Sequence, residues 1–479
     1  MSSPSAAPAR SLNWDVVRVL AVISVVVQHA THTVAGVMPF LSAAPFDWSV
    51  EAGANVLMIV SGFFLCLTLA KRPALRWWWH RMARLLPTYG VAVLLTYLAT
   101  LLAANHGYWR PTVHDLVGNV LLLQSWDPTV VQMDGSYWTM PLQVGVFTLA
   151  AVTVLVSGRA RFWRWRPVLP AVAWAGIALP VVANLLVSGW ARTVYNGLVV
   201  FRWHLFAIGL ALWLAHRGRL GLEHLAVITT SGVLVEYVMT PDPDSTIALA
   251  VACVALAAAA VGPEWTLLRV GVLPRVITWL AGISFGVYLL NQQIGYFVAW
   301  VLQDELGLEG WTRLALVGAA AVGLGWLLTV AVERPVHALL TRGRVGTQRK
   351  EAAAARKRSF SGAEPAETRT PSPANARTTT LLSSACSENA AADSPSGSQT
   401  KFASDGGTAY PSPRSAVATR SRSATTSAQS ASSVSSPSRA AMAAACASEL
   451  TENGTETERS MAASSGGATA NPTRSPASR

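Results

Sequence analysis

The 479-residue chain is 52% hydrophobic and only 13% charged, against about a quarter charged in soluble globular proteins, which excludes an ordinary soluble enzyme. Its net charge of +12 is not a nucleic-acid footprint, because the basic residues sit in short loops between apolar runs, where membrane topology accounts for them. Cys66, Cys253, Cys386 and Cys446 have neither disulfide-framework nor zinc spacing, so no metal is expected.

In chain order, a polar segment (1–14) precedes an apolar run too long for the core of a signal peptide, which is read as a first span. Runs long enough to cross a bilayer as helix recur at 15–38, 50–70, 86–104, 137–157, 167–187, 198–215, 224–239, 245–262, 276–301 and 312–332. The stretch VHDLVGNVLLLQSW (113–126) is too short to cross and is expected to be an amphipathic or re-entrant helix. Residues 343–479 are Ser, Ala, Thr, Pro and Gly with scattered charges. Such a composition cannot bury enough apolar surface to offset its ordering entropy. The expected fold is therefore an all-α integral membrane bundle of about ten transmembrane helices, a membrane domain over 15–337, with a disordered cytoplasmic tail.

Loop charges orient the chain. Lys71, Arg72, Arg76, Arg81 and Arg84 follow span two, Arg159, Arg161, Arg164 and Arg166 span four, Arg217 and Arg219 span six, and Arg269 and Arg275 span eight. The alternate loops are acidic, with Asp47 and Glu51, PDPD (241–244) and DELGLE (304–309). By the positive-inside rule both termini are cytoplasmic. Trp77, Trp78 and Trp79 beside the basic cluster read as an interfacial belt.

Within RVLAVISVVVQH (18–29) an arginine and a histidine flank an aliphatic run. Eleven residues at 100° each return almost to the starting face, so Arg18 and His29 share a stripe, roughly 16 Å apart along the axis; His32 lies on it too. Arg18 alone could be a snorkelling anchor. A ring nitrogen in hydrocarbon needs a partner, so His29 is expected inside the bundle or in a wet cavity near mid-membrane, where it can take and return a proton. Among the other spans Glu236 is the main ionisable exception.

This R-x10-H pattern resembles the membrane acyltransferases of acyltransferase family 3, and four further stretches match in order. GANVLMIVSGFFL (53–65) is similar to the second-span signature through Gly53, Ser61, Gly62 and Phe63, with Asn55 where the family has Asp. HRMARLLPTYGVAVLL (80–95) resembles its R-x-x-R-x-x-P-x-Y through Arg81, Arg84, Pro87 and Tyr89. YWTMPLQVGVF (137–147) resembles its W-S-L-S-x-E stretch through Trp138, with Gln143 for Glu. ISFGVYLLNQQI (283–294) resembles its I-S-Y-x-x-Y-L-x-H stretch through Ile283, Ser284, Tyr288 and Leu289, with Asn291 for His, and VERP (332–335) closes the set.

The resemblance covers 14 to about 337 and implies an integral O-acyltransferase of a bacterial cell membrane. It would move an acyl group, acetyl foremost, from cytoplasmic acyl-CoA to a hydroxyl of a saccharide or another acceptor. His29 would be the general base or brief acyl carrier. Arg18, Arg81 and Arg84 would hold the coenzyme's phosphates, although positive-inside bias alone also explains the last two. Asn55, Ser61, Trp138, Gln143, Ser284, Tyr288 and Asn291 would line the substrate cavity; Ser61 and Gly62 also suit close helix packing. Arg202 and His204, in FRWHLF, read either as acceptor contacts or as interface anchors, and Glu333 with Arg334 as a local ion pair. The three amides stand where the family has ionisable groups. They keep shape and lose proton chemistry, which leaves open a glycan exporter or flippase, or an inert relative. The NGT sequon at 453–455 falls on the cytoplasmic side and is given no glycosylation role.

Overall fold

The computed structural model describes residues 11–158 and 166–342; the expected tail, its sequon, Arg159, Arg161 and Arg164 lie outside them. The described residues contain helices and no strand. We label the helices α1 (Leu12–Val37), α2 (Ala52–Leu69), α3 (Ala74–Ala104), α4 (Val113–Val120), α5 (Thr139–Ser157), α6 (Leu169–Leu186), α7 (Trp190–Gly197), α8 (Trp203–His216), α9 (Leu222–Met239), α10 (Pro243–Val261), α11 (Leu273–Leu290), α12 (Gln293–Asp304) and α13 (Gly310–Arg342). Nine helices among the described residues are long and apolar enough to cross a membrane, or ten if α7 and α8, bent by 47°, form one span. Their outward faces are apolar: Leu98, Leu102, Val156, Leu186, Val251 and Val254 are exposed, as a lipid solvent requires. The chain is a multi-pass membrane protein.

Cross-links between helix ends sort the loops. Asn13 at the start of α1 donates to Pro263 O (3.0 Å) beyond α10, and Trp79 donates to Leu340 O (3.0 Å) near the end of α13. At the opposite end Glu51 N donates to Ser245 Oγ (2.8 Å), and Arg313 bonds Gln303 and Ser42. One end is basic and the other acidic, as the loop charges predict.

The most buried helix is α8, with Leu205, Ile208, Ala211, Leu212 and Leu214 fully enclosed. It crosses α2 where two glycines meet. A Cβ on Gly209 would lie 2.5 Å from Ile59 O, and one on Gly62 would lie 2.9 Å from Phe206 O. With no apolar driving force between helices in lipid, such close backbone approach supplies the packing.

Three expectations change. The third span starts at Ala74 rather than 86, because the basic cluster and the tryptophans continue the helix. Trp77 is accordingly no belt residue: it is 2% exposed, and its Nε1 donates to Thr68 Oγ1 (2.8 Å). The ninth span breaks at Asn291–Gln292, where Gln293 N donates to the Asp134 carboxylate (2.9 Å) instead of to the preceding turn. The 113–126 stretch is helical only over Val113–Val120. A capping box between Thr112 and Asp115 starts it, and Asp115 and Asn119 then bind the returning segment at Val131 and Met133.

Candidate active site

Two π-turns interrupt the spans, His29–Thr33 in α1 and Thr329–Glu333 in α13. Such turns widen a helix and recur at functional sites. The first begins on His29, whose ring is only partly buried. Its Nδ1 lies 2.7 Å from Asn291 Oδ1, while Asn291 Nδ2 donates to Tyr288 O (2.7 Å). A carbonyl oxygen only accepts, so the amide nitrogen of Asn291 must face Tyr288 and its oxygen must face His29. The imidazole therefore carries its proton on Nδ1 and presents the Nε2 lone pair. Tyr288 is held in turn by its hydroxyl, which donates to Ser136 O (3.1 Å). His32 does not join His29; its Nδ1 lies 2.8 Å from Asp47 Oδ1 in the following loop.

A second polar cluster sits beside the first. The Glu236 carboxylate of α9 accepts from Asn55 Nδ2 (2.9 Å), from Arg202 Nη1 and from His204 Nε2 (2.8 Å). All four residues are buried. Opposite charge and three donors make a carboxylate tolerable there. Arg202 also lies over the Trp138 ring at 5.3 Å, and Trp138 ends the short 3-10 turn Gly135–Trp138 whose Ser136 binds Tyr288. Asn55 and His204 thus belong to the interior, as does Arg202. Glu51 joins the two clusters: it accepts from Gln28 at 3.4 Å, beside His29. Burial pushes the Glu51 carboxyl above the usual range, and the nearby Arg202 pulls it back.

Toward the basic end, Arg18, Arg81 and Arg84 converge. Arg84 and Arg18 both lie near enough to Arg81 to act on it as like charges. Arg81 is anchored by Thr68 Oγ1 (3.1 Å) and stacked near Phe147 at 5.3 Å; Arg18 lies over Phe64 at 4.5 Å. Arg84 Nε donates to Glu333 Oε1 (2.6 Å). This corrects the expected Glu333–Arg334 pair: neighbouring helix residues point about 100° apart, so Glu333 turns inward to Arg84 and Arg334 stays exposed.

Of the remaining predicted residues, Ser284 bonds its own turn at Ala281 O (3.0 Å). It lines an apolar groove of about 240 Å3 between α1, α11 and α13 that passes Val26 and Val27. Gln143 is buried on α5 and Ser61 half-buried on α2; neither enters the two clusters by a hydrogen bond among the described residues. Glu236 is the residue whose role sequence reasoning missed, although a lone carboxylate in an apolar span was the signal.

An acyltransferase domain model of acyltransferase family 3 matches residues 11–330. The chain belongs to acyltransferase family 3. No curated protein and no solved structure matches it. The matched residues hold both polar clusters and the three arginines, so all of them lie within the acyltransferase domain of a membrane protein. In this acyltransferase, Asn291 supplies the orienting contact to the histidine, and Asn55 faces a carboxylate that an aspartate would repel.

Proposed function

We propose that this acyltransferase moves an acyl group, acetyl foremost, from acyl-CoA to a hydroxyl of a glycan or other sugar-bearing acceptor. The observation that carries the reading is the His29–Asn291 contact, which leaves Nε2 as a base at a half-buried point inside the bundle. Nε2 takes the proton of the acceptor hydroxyl as its oxygen attacks the thioester carbonyl. The carbon–sulfur bond then breaks, and the imidazolium returns the proton to the leaving thiolate. The three amides at 55, 143 and 291 need no proton chemistry in this scheme.

The coenzyme's diphosphate would rest on Arg18, Arg81 and Arg84. Arg84 and Arg18 face Glu333 and Asp15, and Arg81 pairs with no carboxylate among the described residues, so the cluster keeps a net positive charge that favours an anion. Arg18 and His29, roughly 16 Å apart along one helix by the 1.5 Å rise, are separated by a span that an extended pantetheine arm bridges. The basic end would face the cytoplasm of a bacterial cell, with both termini on that side. The acceptor would approach from the side of the Glu236–Arg202–Trp138 cluster.

The test is turnover of radiolabelled acetyl-CoA by purified protein beside His29→Ala. Loss of CoA release in the variant, with the variant still monodisperse, supports the reading. Release at the wild-type rate sinks it.

A further inference from the structure

A recess at the basic end carries cationic groups that the proposed reaction leaves unused. It is open, about 580 Å3, and lined by Pro274, Arg275, Thr278, Trp279, Gly282 and Arg334. Arg275, Thr278, Trp279 and Gly282 follow i, i+3, i+4, i+7 spacing, one face of α11. A Cβ on Gly282 would meet nothing within 4 Å, so the glycine leaves room at the inner end of that face. The Trp279 indole is 45% exposed.

Other cations nearby are engaged. Arg84 bonds Glu333, Arg269 bonds Glu264, and Arg18 lies 3.8 Å from Asp15. Arg275 and Arg334 make no ion pair among the described residues. Two exposed guanidiniums on one recess, neither paired with a carboxylate among the described residues, suit an anion between them. An indole face next to them adds a stacking surface for a flat ring. A phosphate joined to a planar base satisfies both features at once.

The recess also adjoins the arginine cluster. Arg334 follows Glu333, which holds Arg84, and the Thr329–Glu333 π-turn carries two buried oxygens without partners, Thr329 Oγ1 and Glu333 Oε2. If the thiol end of the coenzyme points to His29 and its diphosphate meets Arg18, Arg81 and Arg84, the adenosine lies still farther from His29, on the side where this recess opens. We propose that the recess seats the 3′-phosphoadenosine end of acyl-CoA, with Arg275 and Arg334 on the 3′-phosphate and Trp279 on the adenine. This inference rests on the donor reading above. The shared chemistry, a phosphate monoester or diester, has a second source in an anionic lipid headgroup, and the experiment separates the two.

Full-length protein in phosphatidylcholine nanodiscs would be titrated with radiolabelled adenosine 3′,5′-bisphosphate and with 5′-AMP, which lacks the 3′-phosphate. The bisphosphate is expected to bind at least about tenfold more tightly, a preference of the size that one charge-assisted contact supplies. The double variant Arg275→Gln, Arg334→Gln is expected to lose that preference, and Trp279→Ala to weaken both nucleotides. Equal affinity for the two nucleotides, or a preference unchanged in the double variant, overturns the proposal. Bisphosphate binding that vanishes when phosphatidylglycerol is added to the nanodiscs assigns the arginines to a headgroup and also overturns it. In parallel, the double variant should raise the KM for acetyl-CoA about tenfold. Wild-type turnover with an unmoved KM in the variant defeats the recess alone. No acetyl-CoA turnover by the wild type defeats the donor reading and the recess with it.

Discussion

Asn55 of α2 donates its side-chain amide to the Glu236 carboxylate of α9 at 2.9 Å, and the same carboxylate binds Arg202 and His204. The amide at 55 is matched to a carboxylate 181 residues away. An aspartate at 55 would set two negative charges against each other inside the bundle.

Asn55→Asp is therefore expected to lower the melting temperature and to cut acyl transfer at least tenfold. Glu236→Gln in the same chain should restore much of both, because one carboxylate then faces Arg202 and His204. A thermal shift series in detergent on the two single variants and the double variant measures the coupling. Additive losses would mean that the two side chains do not interact.

Asn291 fixes which nitrogen of His29 is free. Asn291→Ala removes that orientation and should reduce kcat by about 10- to 100-fold, less than the roughly 100- to 10,000-fold that a positioned base contributes, because the base itself remains. The KM for acyl-CoA should stay near the wild-type value, because Asn291 lies away from the three arginines. A raised KM with normal kcat would remove Asn291 from the positioning role.

The Arg84–Glu333 pair makes a stability prediction with a definite sign. Glu333 is buried but Arg84 is half exposed, so Arg84→Ala leaves a buried carboxylate without its counter-charge, a loss of about 1–3 kcal/mol that stays below the cost of breaking a fully buried pair. Arg84→Ala combined with Glu333→Gln should be more stable than Arg84→Ala alone. Chemical or thermal unfolding in one detergent compares them, and a double variant no more stable than the single one contradicts the pairing.

The α2–α8 crossing depends on the absence of side chains. Gly209→Val would drive its Cβ toward Ile59 O and Phe63 N, 2.5 and 2.7 Å away on the present backbone. Overpacking of this kind costs typically 1–3 kcal/mol. The expected result is earlier thermal aggregation. Gly282→Ala, with open space at its Cβ, should leave the aggregation temperature within error.

Much of the fold was legible from residues alone. Apolar runs of spanning length located the membrane helices because lipid accepts little else, and alternating loop charges sorted the two ends. The motif residues His29 and Asn291 were legible as candidates, since polar groups in an apolar run stand out. Their relation was not: 262 residues separate them, and no local pattern predicts that one amide orients one imidazole. The ninth span reads as continuous because its apolar run never stops; at the break at Asn291–Gln292 the free backbone N–H of Gln293 finds Asp134, a carboxylate far away in the chain. Trp77 was misplaced for a similar reason, as a tryptophan near a basic cluster suits an interface equally well until Thr68 is seen beside it.

By itself, then, the sequence determined the membrane class, most of the span boundaries to within a few residues, the polarity of their ends and the family. Those properties follow from solvent transfer and local spacing, which act residue by residue. The tertiary structure decided which polar groups meet: Glu236 with Asn55, Arg202 and His204; Arg84 with Glu333 rather than Arg334 with Glu333; His29 with Asn291. In a low-dielectric bundle each buried donor or charge must find a partner, and several partners satisfy the chemistry equally well on paper. Only the packing of α1, α2, α3, α8, α9, α11 and α13, several of them brought close by glycines at their crossings, selects among them.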